Sequence, residues 1–307
     1  MRLGYACLAV GVPGTEQKSC MMKNATTERL MDLIWTNLNA LENMIRYNIR
    51  MGIRLFRISS GLIPFGSSPV NNLPWWDMYS SWLETIGNKI KSHGIRVSMH
   101  PGQYTIINSN DDQIVQRSFE DLNYHARVLD SLCLGPEHKL ILHVGGIYGN
   151  KTLAAERFMR NFERLTEAVR NRLAIENDDK CFTAEDVLKI SQKLRIPMVY
   201  DTLHNAVNPC EPGCRDADWI CLCRETWREK DGPQKIHYSQ QAPGKPPGSH
   251  AESIDTDEFL LFLEQVNNRD LDIMLEVKDK NLSVLKCMQA IGLKYGVLGK
   301  ADSLSAI

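Results

Sequence analysis

Imidazoles and carboxylates recur at the ends of short apolar runs in this chain. His100 closes the run Ile95–His100, His143 lies near the end of Leu140–Val144, and Glu176 ends Leu173–Glu176. Asp201 ends Pro197–Asp201 with His204 three residues on; Lys235 and His237 share Lys235–Ser239, His250 follows in the next loop, and Glu276 ends Asp272–Val277. Nearly all of these side chains are hard or borderline metal ligands. Burying Glu176, Asp201 and Glu276 together without a cation would be costly, because close carboxylates cannot all stay ionised. Divalent cations remove that cost, and several at one rim suit phosphoester cleavage. One activates water, while others stabilise the transition state and the leaving oxygen. Glu176, central in strand order, is placed to bridge two ions.

Such a set is useful only if the fold brings the strand ends together. Eight apolar runs, Arg2–Ala9, Ile53–Ser59, Ile95–His100, Leu140–Val144, Leu173–Glu176, Pro197–Asp201, Lys235–Ser239 and Asp272–Val277, read as parallel strands buried on both faces. Amphipathic stretches alternate with them. Thr26 caps a helix carrying Leu30, Leu33, Ile34, Leu38, Leu41, Ile45 and Ile49, which Gly52 stops, and His93-Gly94 ends a second. Asp111–Leu132, Lys151–Arg172, Thr183–Leu194, Ala217–Glu229, Thr256–Val266 and Ser283–Ile291 supply the rest. Eight strand-then-helix units without a linker predict an α/β fold of the (β/α)8 TIM-barrel type, one domain over residues 1–307, with a C-terminal helix and tail over 280–307. An open doubly wound sheet would normally carry a Gly-rich first turn, and no GxGxxG follows the first strand. In a barrel the strand C-termini form one rim, where catalysis occurs.

The bulk properties agree. The chain has 307 residues, 43% hydrophobic and 24% charged, with 36 Lys plus Arg against 37 Asp plus Glu. A net charge of -1 gives no global field for nucleic acid, so a DNA partner must be held by a local patch or by metal ions. The nine cysteines are an odd count, no secretory signal opens the chain, and no apolar run is long enough to span a membrane. A cytoplasmic protein with reduced thiols and no obligate protein partner is expected.

His100-Pro101-Gly102-Gln103-Tyr104, Ile175-Glu176-Asn177-Asp178-Asp179, Asp201-Thr202-Leu203-His204-Asn205, Lys235-Ile236-His237-Tyr238-Ser239 and Leu275-Glu276-Val277-Lys278, in this order, resemble the motifs of the UV damage endonuclease family. The resemblance implies a (β/α)8 barrel related in architecture to endonuclease IV. It implies excision repair of damaged double-stranded DNA by nicking 5′ to pyrimidine dimers, 6-4 photoproducts and abasic sites, leaving a 3′-hydroxyl and a 5′-phosphate. Carried over by motif, the metal ligands are His100, His143, Glu176, Asp201, His204, His237, His250 and Glu276, for up to three ions, manganese favoured. His143 and Glu176 are assigned to one ion, Glu176, Asp201, His237 and Glu276 to a second, and His204 and His250 to a third. Glu176 and Lys235 carry the catalytic parts. Lys235 beside the metals would lose its proton and take up carbon dioxide as a carbamate, which the resemblance also implies; the alternative is a lysine contacting DNA phosphate. Gln103-Tyr104 is suited to wedge into a distorted base stack. Tyr5 either packs against an extruded lesion or is a core tyrosine.

Some positions depart from the family pattern. Gly61 stands where an Asp is usual, and Ser68 where a metal-binding His is expected, so the first ion lacks a ligand. Cys210, Cys214, Cys221 and Cys223 fall within fourteen residues at a spacing uncommon for zinc, and read as unpaired thiols in a loop and helix start. Trp75-Trp76 reads as packing, and Arg54, Arg57 and Lys151 as ordinary surface or strand charges. Two rival functions fit the same residues, a metal-dependent sugar isomerase or epimerase on the same barrel and a non-catalytic DNA-damage binder.

Overall fold

Eight parallel strands close into a barrel in sequence order, β1 against β2 through to β8 against β1. They are β1 Arg2–Ala6, β2 Leu55–Ile58, β3 Arg96–Met99, β4 Lys139–His143, β5 Leu173–Glu176, β6 Met198–Asp201, β7 Lys235–Tyr238 and β8 Asp272–Leu275. The computed structural model describes residues 1–210, 214–267 and 270–295. The helices are α1 Thr27–Arg50, α2 Trp75–Met78, α3 Ser80–Ser92, α4 Asp112–Ser131, α5 Lys151–Phe162, α6 Glu167–Arg172, α7 Ala184–Leu194, α8 Thr202–Val207, α9 Asp216–Arg224, α10 Thr256–Val266 and α11 Asn281–Tyr295. The expected (β/α)8 architecture is therefore observed. The expected C-terminal helix is α11, and the tail beyond residue 295 lies outside the described residues.

Local chemistry explains the helix limits. The Thr26 hydroxyl accepts from Arg29 N at the start of α1, whose Leu30, Leu33, Ile34, Leu38, Leu41 and Ile45 are buried. Gly52, at a φ of 71°, follows its end. The expected Lys151–Arg172 helix divides, because a turn at Arg164 and Leu165 intervenes and α6 restarts after Thr166. The first strand stops at Ala6 instead of Ala9: Cys7 takes a φ of 74°, which a strand cannot continue through. Trp75 is buried edge-on to Trp76 and Tyr124, the packing role expected of that pair.

Alternation along each strand sends one set of side chains to the helices and the other into the barrel. The interior is filled in layers. In its middle, Ala6, Leu55 and Met274 form one small apolar cluster and Ile141, Ala174 and Val199 another. Gly4 belongs to this narrow interior: a Cβ there would lie 2.3 Å from the Leu55 carbonyl oxygen. The lower end is sealed by charge, with Asp272 paired to Arg2 and Arg96 at 2.7 Å each and Lys139 paired to Asp231. Breaking a buried pair from one side typically costs about 3–5 kcal/mol because it strands the other charge, so single substitutions at this end should be poorly tolerated. The upper end carries the ligand-type residues. Among the described residues no helix is long and apolar enough to cross a membrane.

A candidate metal centre

Strand register brings the rim together. His143 on β4 stands opposite Glu176 on β5, and Asp201 on β6 opposite His237 on β7. His100 and Glu276 directly follow β3 and β8. Glu176, Asp201 and His237 are buried, while His100, His143, His204 and Glu276 are half-buried and open toward the rim.

Glu176 is the hub. Its Oε1 lies 2.7 Å from His237 Nδ1 and 3.6 Å from His204 Nδ1; its Oε2 lies 3.1 Å from His100 Nε2 and 3.9 Å from His143 Nε2. Asp201 divides its two oxygens: Oδ1 accepts from His204 N as the N-cap of α8, while buried Oδ2 has no hydrogen-bond partner. Asn177 braces this part, exchanging hydrogen bonds with the Asp201 backbone at 2.9 and 3.0 Å. Its carbonyl also lies 2.9 Å from His204 Nδ1, which leaves Nε2 as the nitrogen free to ligate. The Ser60 hydroxyl similarly donates to the His100 carbonyl oxygen at 2.7 Å.

Electrostatics mark a site short of positive charge. Burial, reinforced by Glu176 and Glu276, raises Asp201 to about 8 against the pull of His204. Burial alone would lower His204, but Asp201, Glu176 and Glu276 raise it to about 9. Burial lowers His237 to about 4 although Glu176 and Glu276 pull the other way. Glu176 is held well below the usual carboxylate range despite burial, by His237, His143 and a hydrogen bond from His100. Glu276 is likewise lowered against its burial, chiefly by Arg57.

Three overlapping groups have ligand atoms within 4.8 Å of one another: His100, His143 and Glu176; Glu176, Asp201 and His204; and Asp201, His237 and Glu276. Mixed imidazole–carboxylate donors of this kind match the ligand preferences of manganese and zinc. The partnerless Asp201 Oδ2 is an atom that such an ion would satisfy. The donors therefore fit divalent cations, with Glu176 and Asp201 each in two groups. The grouping differs in part from the expected apportioning. His204 joins Glu176 and Asp201, while His250 enters none of the three groups and sets its Nδ1 against the Glu276 carbonyl oxygen.

Other expected residues fall elsewhere. Tyr5 is 0% exposed, bonded through its hydroxyl to Asn48 and tilted against Phe56, so it is a core tyrosine and not a lesion contact. Lys235 starts β7 opposite Asp272, two residues below His237, with its Nζ buried and without a hydrogen-bond partner. Burial lowers its pKa, and Arg96, Arg57 and Arg2 add to that against the pull of Asp272. Ser68 accepts from Val70 N and enters no ligand group. Cys210 accepts from Glu185 N, Cys223 is buried against Met198, and Cys214 and Cys221 are exposed; no ligand group among the described residues contains a cysteine. Gln103 and Tyr104 are exposed at the rim, Tyr104 at 82%.

Arg57 is the site residue that the sequence pattern announces least. It points inward, with Nη2 2.8 Å from His237 Nε2 and paired to Glu276. The one available signal is alternation, which sets Arg57 two places above the interior residue Leu55 on β2.

A UV-endonuclease UvdE family model matches residues 1–299. A protein named UV DNA damage endonuclease from Clostridium perfringens (strain 13 / Type A) is 41% identical over 292 residues, covering 95% of this chain and 71% of that one. One of the same name from Bacillus cereus (strain Q1) is 33% identical, covering 97% and 96%. The crystal structure of SacUVDE superposes with a TM-score of 0.91 at 37% identity, over 96% of this chain and 99% of that one.

Proposed function

The chain belongs to the UV-endonuclease UvdE family, and on that footing we propose that it is a metal-dependent DNA repair endonuclease acting in the cytoplasm. It nicks double-stranded DNA immediately 5′ to pyrimidine dimers and 6-4 photoproducts, and at abasic sites. The observation that carries this reading is the rim cluster in which Glu176 and Asp201 are each shared by two ligand groups. The ligands in the proposal are His100, His143, Glu176, Asp201, His204, His237 and Glu276, with His250 as a half-buried neighbour behind Glu276. Bound divalent cations, manganese by preference, would supply the acidity that ionises an attacking water and the positive charge that offsets the phosphoryl transition state.

The chain's own residues do the positioning. Glu176 spreads its two oxygens between opposite sides of the rim. Asp201 is fixed by the start of α8, so its free oxygen has one direction to face. Arg57 ties Glu276 to His237 and holds a positive charge below the phosphate path. Net cleavage adds water across one P–O bond: oxygen joins phosphorus as the 5′-phosphate, and a proton leaves with the 3′-hydroxyl.

The test is a duplex holding one defined thymine dimer. Chelated protein should not nick it, and manganese should restore cutting better than magnesium, since imidazole donors suit manganese more. Cutting at full rate after chelation would sink the metal reading. Tight binding without any nick in manganese would make the protein a damage binder.

Lys235 belongs to the same proposal as an N6-carboxylated residue. Its Nζ is fully buried with no hydrogen-bond partner, and Arg57, Arg96 and Arg2 are the cations that bear on it. Addition of carbon dioxide to the neutral amine forms a carbamate and releases one proton, placing an anion at a level where three arginines outnumber the one carboxylate, Asp272, that bears on Lys235. Intact mass under non-acidic conditions should exceed that of the Lys235→Met variant by one carbon dioxide beyond the sequence difference. A bare amine at that position would remove this part of the proposal.

A further inference from the structure

Beside the rim, between the loops that follow β7, β8 and β1, lies a cavity of about 500 Å³. Arg57, Lys245, His250, Lys278 and Lys280 line it, and Glu276 is its one lining carboxylate. Glu276 is already neutralised by Arg57, and Lys278 is paired with Glu252 at 2.6 Å on the surface. Among the described residues neither the Lys245 nor the Lys280 ammonium has an anionic partner. In a chain with net charge -1, this is a local excess of cation next to a site that handles phosphate.

The cavity is built on a braced frame. The Gln241 amide donates to the carbonyls of Ala242, Lys245 and Pro246 and accepts from Gly248 N, which closes the Pro/Gly-rich loop on itself and presents Lys245. That loop is bridged back by the pairing of Gln241 with His250. The loop after β8 is tied to it, since Lys278 N and Asp279 N donate to the carbonyls of Ala251 and Glu252. The loops after strands seven and eight are the place where (β/α)8 barrels recurrently hold phosphate groups.

We propose that this cavity seats a backbone phosphodiester of the DNA, one that is not cut, with Lys245 and Lys280 as its principal contacts. This rests on the nuclease reading and adds to it a register device: held there, the strand would present a fixed neighbouring phosphodiester to the rim cluster. Contacts to phosphate position a duplex without reading its sequence.

The experiment measures equilibrium binding of a fluorescein-labelled duplex with one thymine dimer, and of its undamaged counterpart, across a salt series. The proteins are the parent, Lys245→Gln, Lys280→Gln and the double variant. Removing one lysine–phosphate interaction should lower the slope of log K against log salt by about 0.9, so the slope of the double variant should fall by about one to two units. Affinity should fall by the same factor on both duplexes. Lys91→Gln, at the far end of α3, should change neither quantity. An unchanged slope with affinity within about twofold of the parent would overturn the phosphate seat. Loss of bound metal in the double variant would also overturn it, because the lysines would then act through the rim cluster. If the parent itself neither binds nor nicks the dimer duplex, the nuclease reading fails instead.

Discussion

Glu176→Gln should abolish nicking, with a loss of at least about a hundredfold, while the barrel stays folded. The change is nearly isosteric, so packing around the fully buried side chain should survive. What it removes is charge. Glu176 faces His237 and His204 with one oxygen and His100 and His143 with the other, and belongs to two of the three ligand groups. A carboxamide keeps one acceptor oxygen and turns the other position into a donor, which no cation can use. Two groups are weakened at once, so bound manganese measured by elemental analysis should fall by more than in His143→Asn, which touches only one group. Asp201→Asn, also in two groups, should resemble Glu176→Gln. The reading is wrong if Glu176→Gln cuts within about threefold of the parent at full metal content.

The rim is legible in the chain because most of the ligand-type residues fall at or near the ends of apolar runs, and a closed parallel barrel leaves such ends one common edge. His143, Glu176, Asp201 and His237 need only that topology to meet, and register sets them opposite one another in pairs. Depth within the barrel is harder to read. Lys235 and His237 share β7 and its interior face, yet two residues separate a rim position from a level facing the lower ion pairs. Tyr5 is ambiguous for a related reason. Every side chain of Leu3-Gly4-Tyr5-Ala6 is apolar or nearly so, and the contact that decides its facing is the close approach of Gly4 to Leu55, a property of two strands together. Arg57 reads as a strand charge because nothing local announces the Glu276 just after β8 and the His237 on β7 that receive it.

Loop partners are likewise hidden in the linear sequence. Asn108 joins the Tyr104 loop to the loop after β4 by donating to the Gly146 carbonyl, and Arg157 donates to the Asn108 carbonyl. Thr105, directly after Tyr104, donates to Asp121, and Ile106 N donates to Ser118. These bonds come from residues far apart in the chain, and they give the Gln103-Tyr104 tip a rigid base.

Replacing both Gln103 and Tyr104 by Ala should weaken binding and cutting of dimer-containing duplex by about one to two orders of magnitude, since aromatic platforms contribute about 1–3 kcal/mol per stacked base. The pair projects from a short turn closed by the hydrogen bond from Thr105 N to Gly102 O, and both side chains are exposed beside His100. An aromatic ring left 82% exposed contributes little to folding, so its burial is available to a partner. Opening a base stack costs a few kcal/mol at sound steps and less at a distorted one, so a wedge here favours damage without reading sequence. Melting temperature and metal content of the double variant should stay near the parent, because neither residue is core or ligand. Abasic duplex, already missing a base and flexible, should suffer less than dimer duplex. Equal losses on both would mean that the pair positions the backbone. Loss of metal would mean that the loop chiefly supports His100, whose Nδ1 lies 3.0 Å from the Pro101 carbonyl oxygen at the base of the same turn.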